Sequence, residues 1–264
     1  QNDFQKAQNF QEKAISLNPF DDIPYINLSK TFEKQGNFKA SLKILQFAEI
    51  INPQNYEIHI ALARAYYRTK NYIKSKESYE IVLKNHNTSN LKLEYCSKLL
   101  KLKETKKIFQ ILDTIKEEEC FIEKIILEGL VYFSEKKLDL AIEIFLKALK
   151  SNKKQNNILF SYLALCFEEK NEFNKALDYH EKAKKIKPEN DLVLKNYANH
   201  LYFVGNLEKA EKFYLKTIKI NQFDFELKYF LSLLQLSKNN FKEGWRNFEY
   251  RWLSDTFSTK EKKI

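Results

Sequence analysis

The chain has 264 residues, a net charge of +10 and a hydrophobic share of 44%, enough to build a core. No apolar run approaches the ~18 residues that cross a bilayer, so membrane insertion is not expected. The charge comes from 41 Lys and only four Arg (Arg64, Arg68, Arg246, Arg251), a solvating rather than a phosphate-gripping mixture.

Four Gly (36, 129, 205, 244) and four Pro (19, 24, 53, 188) leave room for mostly helix with short turns. The elements predicted in chain order begin with one helix over roughly residues 3–17. The next unit, Asp22 to Asn55, places Tyr25, Leu28, Ser29 and Phe32 at helical spacing, breaks at Gly36, resumes with Phe38, Ser41, Leu45 and Ala48, and stops at Pro53. The same grid fits Tyr56 to Ser89, Ile122 to Gln155, Asn157 to Asn190 and Asp191 to Asp224. Small residues recur at Ala7, Ser41, Ser75, Ala141, Ala176, Ala210 and Gly244, in steps of 34, 34, 66, 35, 34 and 34. A unit of this length cannot bury its own apolar face and must stack on its neighbours, so an α-solenoid is predicted. In the unit Asn90 to Phe121, Ile108 or Phe109 fills the small position and Gly and Pro are absent, so altered packing is expected there.

On this grid the chain resembles the tetratricopeptide repeat family over residues 1–252, with a partial first repeat (1–21) and repeats starting near 22, 56, 90, 122, 157, 191 and 225, then a polar tail or linker over 253–264. The resemblance implies an all-α, right-handed superhelix of antiparallel helix pairs whose first helices line a concave groove. It places Asn27, Lys30, Lys34, Arg64, Arg68, Lys98 and Lys101 on a basic stretch of that groove. It places Phe133, Tyr162, Asn196, Asn199, Tyr202, Phe203, Tyr229 and Phe230 on an aromatic stretch. The first would orient carboxylates by charge-assisted hydrogen bonds, and the second would anchor apolar side chains. The expected function is a scaffold that binds a peptide or protein segment, acidic in the basic stretch. A basic surface for nucleic acid is the weaker alternative, because Arg is the better fork for bases and phosphates.

The last unit differs. Phe241, Trp245, Phe248 and Trp252 lie at i, i+4, i+7 and i+11, and Arg251 stands where other units carry Ala, Val, Ile or Thr. Trp245, Phe248, Arg251 and Trp252 therefore form a terminal cap or a domain junction. The string Glu243-Gly244-Trp245-Arg246 with Phe248-Glu249-Tyr250-Arg251-Trp252 resembles the closing repeat of bacterial tetratricopeptide repeat proteins that continue into a glycosyltransferase domain. That resemblance implies an alternative role as the non-catalytic acceptor-recognition arm of such an enzyme.

No residue of this chain is expected to be catalytic. Cys96, Cys120 and Cys166 are too scattered for a disulfide framework or a zinc site and fit a reducing, cytoplasmic setting. His59, His86, His180 and His200 have no second ligand at i+3 or i+4, so neither a metal nor a cofactor is expected. The absence of Met and the start inside a repeat predict a piece of a longer protein, with a signal sequence on the missing part left open.

Overall fold

A computed structural model describes residues 2–116, 120–151 and 156–254. All regular elements among the described residues are helical, as the period predicts. They are α1 (Asn2–Leu17), α2 (Ile23–Lys34), α3 (Phe38–Ile51), α4 (Tyr56–Arg68), α5 (Tyr72–Asn85), α6 (Ser89–Lys101), α7 (Thr105–Asp113) and α8 (Phe121–Ser134). They continue with α9 (Leu138–Ser151), α10 (Asn157–Glu169), α11 (Phe173–Ile186), α12 (Asp191–Phe203), α13 (Leu207–Ile220), α14 (Phe225–Ser237), α15 (Phe241–Phe248) and a 3-10 turn (Glu249–Trp252). The chain divides into two compact units, residues 1–127 and 128–264, each a stack of paired helices. The tail over 255–264 lies outside the described residues.

One turn geometry makes the pairs. Every connection from a first helix to its second contains one residue in the left-handed region: Gly36, Lys70, Lys103, Lys136, Asn171, Gly205 and Asn239. At each, the next amide reaches back to a carbonyl in the last turn of the first helix, as in Asn37 N–H to Phe32 O (2.8 Å), Glu104 N–H to Leu99 O (3.2 Å) and Asn206 N–H to Leu201 O (2.8 Å). This is the Schellman closure, which satisfies carbonyls that the helix end would leave bare. The residue that closes one helix also precedes the next: Asn37 and Asn71 turn their side chains round to accept from Ala40 N–H and Lys74 N–H. The connections from a second helix to the following first helix are built differently. Five of them end in Asn55, Thr88, Asn156, Asn190 or Asp224, each capping the new helix with its side chain, whereas Asp22 before α2 makes no such cap.

Small residues let the helices approach. Ser41, Ser75, Ala141, Ala176 and Ala210 are all buried, and Ser75 donates to Ala63 O across its pair at 2.7 Å. The largest fully buried side chains include Tyr79, Tyr95, Tyr214, Phe145 and Leu45. Each such side chain contributes roughly 1.5–3 kcal/mol by leaving water. Gly129 lets a ring come close: a Cβ there would lie 2.2 Å from Phe145 Cε1. In the irregular unit Ile108 takes the small rung and is fully buried. Its second helix, α7, is only 9 residues long against 14 for α5. Glu80 on α5 holds this shorter helix by accepting from Lys107, and holds α6 by accepting from Tyr95 Oη.

Candidate functional surfaces

The basic residues of the N-terminal unit sit on α2, α4 and α6. Asn27, Lys30, Lys34, Arg68 and Lys101 are exposed. Arg64 reaches the next first helix, where its Nε and Nη2 donate to the two oxygens of Glu94, each at 2.7 Å. Tyr79 Oη donates to the same carboxylate at 2.8 Å. Burial pushes the Glu94 carboxyl up, but the Arg64 and Tyr79 hydrogen bonds and the Arg64 charge outweigh it and hold the group below the ordinary carboxylate value. Arg64 is therefore a structural strut as well as a surface cation, which its place in the repeat could not reveal.

Arg68 and Lys98 are arranged differently. The Arg68 guanidinium lies 5.6 Å from the Phe38 ring centre, and Lys98 Nζ lies 4.9 Å from that of Tyr67. Burial lowers the Lys98 ammonium, and the neighbouring Arg68 and Arg64 charges lower it further against the pull of Glu94. Glu33, at the end of α2, is pushed up by burial despite Arg68 and Arg64. Positive charge is thus concentrated where the surrounding carboxylates are engaged or hard to ionise.

The aromatic set of the C-terminal unit is mostly occupied in packing. Tyr162 stacks on Phe145 with ring centres 5.7 Å apart. Tyr202 and Phe230 pack against the cluster around Tyr197 and Leu231, and Tyr229 meets both Phe230 and Phe248. Asn196 is buried and donates to Ser161 Oγ at 2.9 Å, while Asn199 accepts from Tyr214 Oη. Phe133 is half-buried with Lys136 above its ring. Phe203, 71% exposed, projects furthest.

At the C-terminal end α15 stops at Phe248 and the backbone tightens to a 3-10 turn, so Trp252 leaves the helical stripe that the spacing predicts. Arg251 donates to Phe248 O at 3.0 Å and to Glu249 Oε1 at 2.9 Å. Its guanidinium lies 4.4 Å and 4.5 Å from the Phe248 and Trp252 ring centres. Phe248 is half-buried, whereas Phe241, Trp245, Trp252 and Leu253 remain exposed.

The structure also assembles a group that local spacing hides. Glu168 lies in the last turn of α10, His180 on α11 and His200 on α12. His180 Nε2 is 2.9 Å and His200 Nδ1 2.7 Å from the same oxygen, Glu168 Oε1. Both rings are buried. Burial lowers the His180 imidazole and keeps it neutral against the pull of Glu168. Burial raises Glu168, but its two imidazole hydrogen bonds bring it below the ordinary value. The i+3 and i+4 test fails here because the two histidines lie 12 and 32 residues from Glu168 in sequence. Aligning the repeats in register would have found them. Cys96 and Cys166, by contrast, are buried core thiols, each pushed up to about 12 by desolvation. Among the described residues no helix is long and apolar enough to cross a membrane.

Comparison with known proteins agrees with this architecture. Residues 1–21 and 126–155 match the tetratricopeptide repeat family. The chain is similar to yeast Tom70 at 20% identity, covering 96% of this chain and 55% of that one, with a TM-score of 0.68. It is similar to the APC/C hetero-tetramer Cut9–Hcn1 at 11% identity, covering 88% and 46%, with a TM-score of 0.57. It is similar to a tetratricopeptide repeat protein from Parabacteroides merdae at 17% identity, covering 90% and 93%, also with a TM-score of 0.57. The chain spans about half the length of the first two. No curated protein matches it. At these identities the likeness is one of fold: paired helices stacked as in a tetratricopeptide repeat solenoid.

Proposed function

We propose that this chain is a non-catalytic interaction scaffold whose N-terminal unit takes an extended acidic segment of a partner protein along α2, α4 and α6. The carrying observation is the crowding at Lys98, whose charge is disfavoured by burial and by Arg68 and Arg64 while Glu94 is already held by Arg64 and Tyr79. A partner carboxylate would relieve that repulsion and form charge-assisted hydrogen bonds. Lys30, Lys34 and Arg68 extend the same charge over exposed surface. In the C-terminal unit Phe203 supplies an apolar anchor beside the packed aromatics. Cut9–Hcn1, which shares the fold, is itself a hetero-tetramer, in keeping with this role.

The test uses Lys30→Glu with Arg68→Glu, which spares the Arg64–Glu94 strut. Binding of a fluorescein-labelled oligo-glutamate peptide is read by anisotropy. Each lost charge-assisted contact is worth roughly 1.5–3 kcal/mol. The double variant should therefore bind at least about 100-fold more weakly with unchanged circular dichroism. Equal affinity refutes the reading.

A second reading, the acceptor-recognition arm of a larger glycosyltransferase, is favoured by one observation: Phe241, Trp245, Trp252 and Leu253 leave the C-terminal end apolar and uncovered by the described residues. A gene that encodes no such domain after residue 264 removes it.

A further inference from the structure

We propose that Glu168, His180 and His200 form a binding site for a zinc-type divalent transition-metal ion at the joint of α10, α11 and α12. The three donor atoms lie within 4.8 Å of one another. Zinc takes imidazole nitrogen and carboxylate oxygen at about 2.0–2.2 Å, which sets tetrahedral donors roughly 3.3 Å apart. The present nitrogen-to-oxygen separations of 2.9 and 2.7 Å need to open only slightly to admit the ion. Two neutral imidazoles and one carboxylate are the donor set of three-ligand zinc sites, with water in the fourth position. The Glu168 side chain is 21% exposed, which gives an ion and its water a way in. Calcium and magnesium, which want oxygen, are poorly served by this set.

Register within the repeats makes the cluster unusual for this chain. The rung of His180 carries Leu45, Tyr79, Phe145 and Tyr214 in other repeats, all fully buried. The rung of His200 carries Thr31, Ala65, Leu99, Val131, Cys166 and Leu234, all buried. Among the described residues, only at this joint do both core rungs become ligating side chains that meet on a carboxylate.

On binding, the ring nitrogens now facing Glu168 must present lone pairs to the ion, so a proton retained by either ring sits on its other nitrogen. His180 Nδ1 is buried with no partner and would carry that proton unpaired. A missing second-shell partner typically weakens a site by about 10- to 100-fold, so affinity should fall short of a fully supported site. The ligands come from one helix pair and the first helix of the next. The ion would therefore pin two successive repeats and favour the folded state.

The experiment titrates zinc chloride into the chelator-treated, dialysed full chain by calorimetry, with the thermal midpoint followed in parallel. One equivalent should bind and the midpoint should rise. His200→Asn or His180→Asn should abolish both effects, whereas Cys96→Ser with Cys120→Ser and Cys166→Ser should leave them unchanged. Absence of binding, loss of binding in the cysteine variant, or retention in both histidine variants overturns the proposal. Should the histidine variants not fold, ring-nitrogen NMR of the wild type decides. Zinc must shift two histidines, and both must remain shifted in His59→Asn and in His86→Asn; shifts belonging to His59 or His86 overturn the proposal.

Discussion

Lys103 and Gly205 occupy the same place in two turns, with φ of 58° and 82°, so exchanging residue types between them isolates the backbone. A residue with a Cβ loses about 1–2 kcal/mol in the left-handed region. Glycine avoids that cost but gives up about 0.5–1 kcal/mol through the extra freedom of its unfolded chain. Lys103→Gly should therefore stabilise by about 0.5–1 kcal/mol, and its exposed side chain makes no described hydrogen bond whose loss would mask the gain. Gly205→Ala should destabilise by a similar amount. Nothing lies within 4 Å of a Cβ built at Gly205, so packing contributes nothing and the change reads backbone strain against the lost freedom of the unfolded chain. Lys103→Ala keeps the Cβ and should be neutral. Urea denaturation followed by circular dichroism reads the three variants as midpoint shifts at constant slope. A lower midpoint for Lys103→Gly, or an unchanged one for Gly205→Ala, refutes the account of these turns.

Two further outcomes follow from packing and charge. Gly129→Ala drives a Cβ into the buried Phe145 ring; overpacking of about 1–3 kcal/mol should exceed the roughly 1 kcal/mol gained in helix propensity. Gly129→Ala with Phe145→Leu should recover part of the loss, and a single variant as stable as the wild type would disprove the contact. Glu94 titrates below its ordinary value when folded, so its contribution is present above the unfolded value of about 4.3 and fades as pH falls through the folded one. Glu94→Gln should therefore lower stability by about 0.5–1 kcal/mol at pH 7, a modest figure because Arg64 is half exposed. The difference should narrow below about pH 4, and a constant difference down to pH 3 would contradict the assignment.

The period made the fold legible. Small residues at fixed intervals demand close helix approach wherever they fall, so Ser41, Ser75 and Ala176 could be assigned to interfaces without coordinates. Turns without glycine were harder to read. Lys70, Lys103 and Lys136 resemble ordinary surface lysines, and only the backbone shows that they take a conformation suited to glycine. The surface was legible by position and not by pairing. Arg64 and Arg68 are equally basic in sequence, but a carboxylate two helices further along the chain engages one, while the other lies over a ring. The histidine–glutamate cluster was invisible to local spacing because its members meet only when successive repeats stack.

Because the residue that closes a first helix also precedes the second, the turn has no spare length: the second helix always starts two residues after the left-handed one. The 33-residue step from Lys70 to Lys103 and the 35-residue step from Lys136 to Asn171 therefore arise in the connections that lead from a second helix to the next first helix, whereas the step across the irregular unit also reflects its short α7. Those are the joints at which such a chain can gain or lose residues over evolutionary time, and at which a loop or a reporter domain could be grafted without breaking a pair. Every graft of this kind would emerge from the same end of its helix pair, opposite the tight turns, leaving the first-helix face unobstructed.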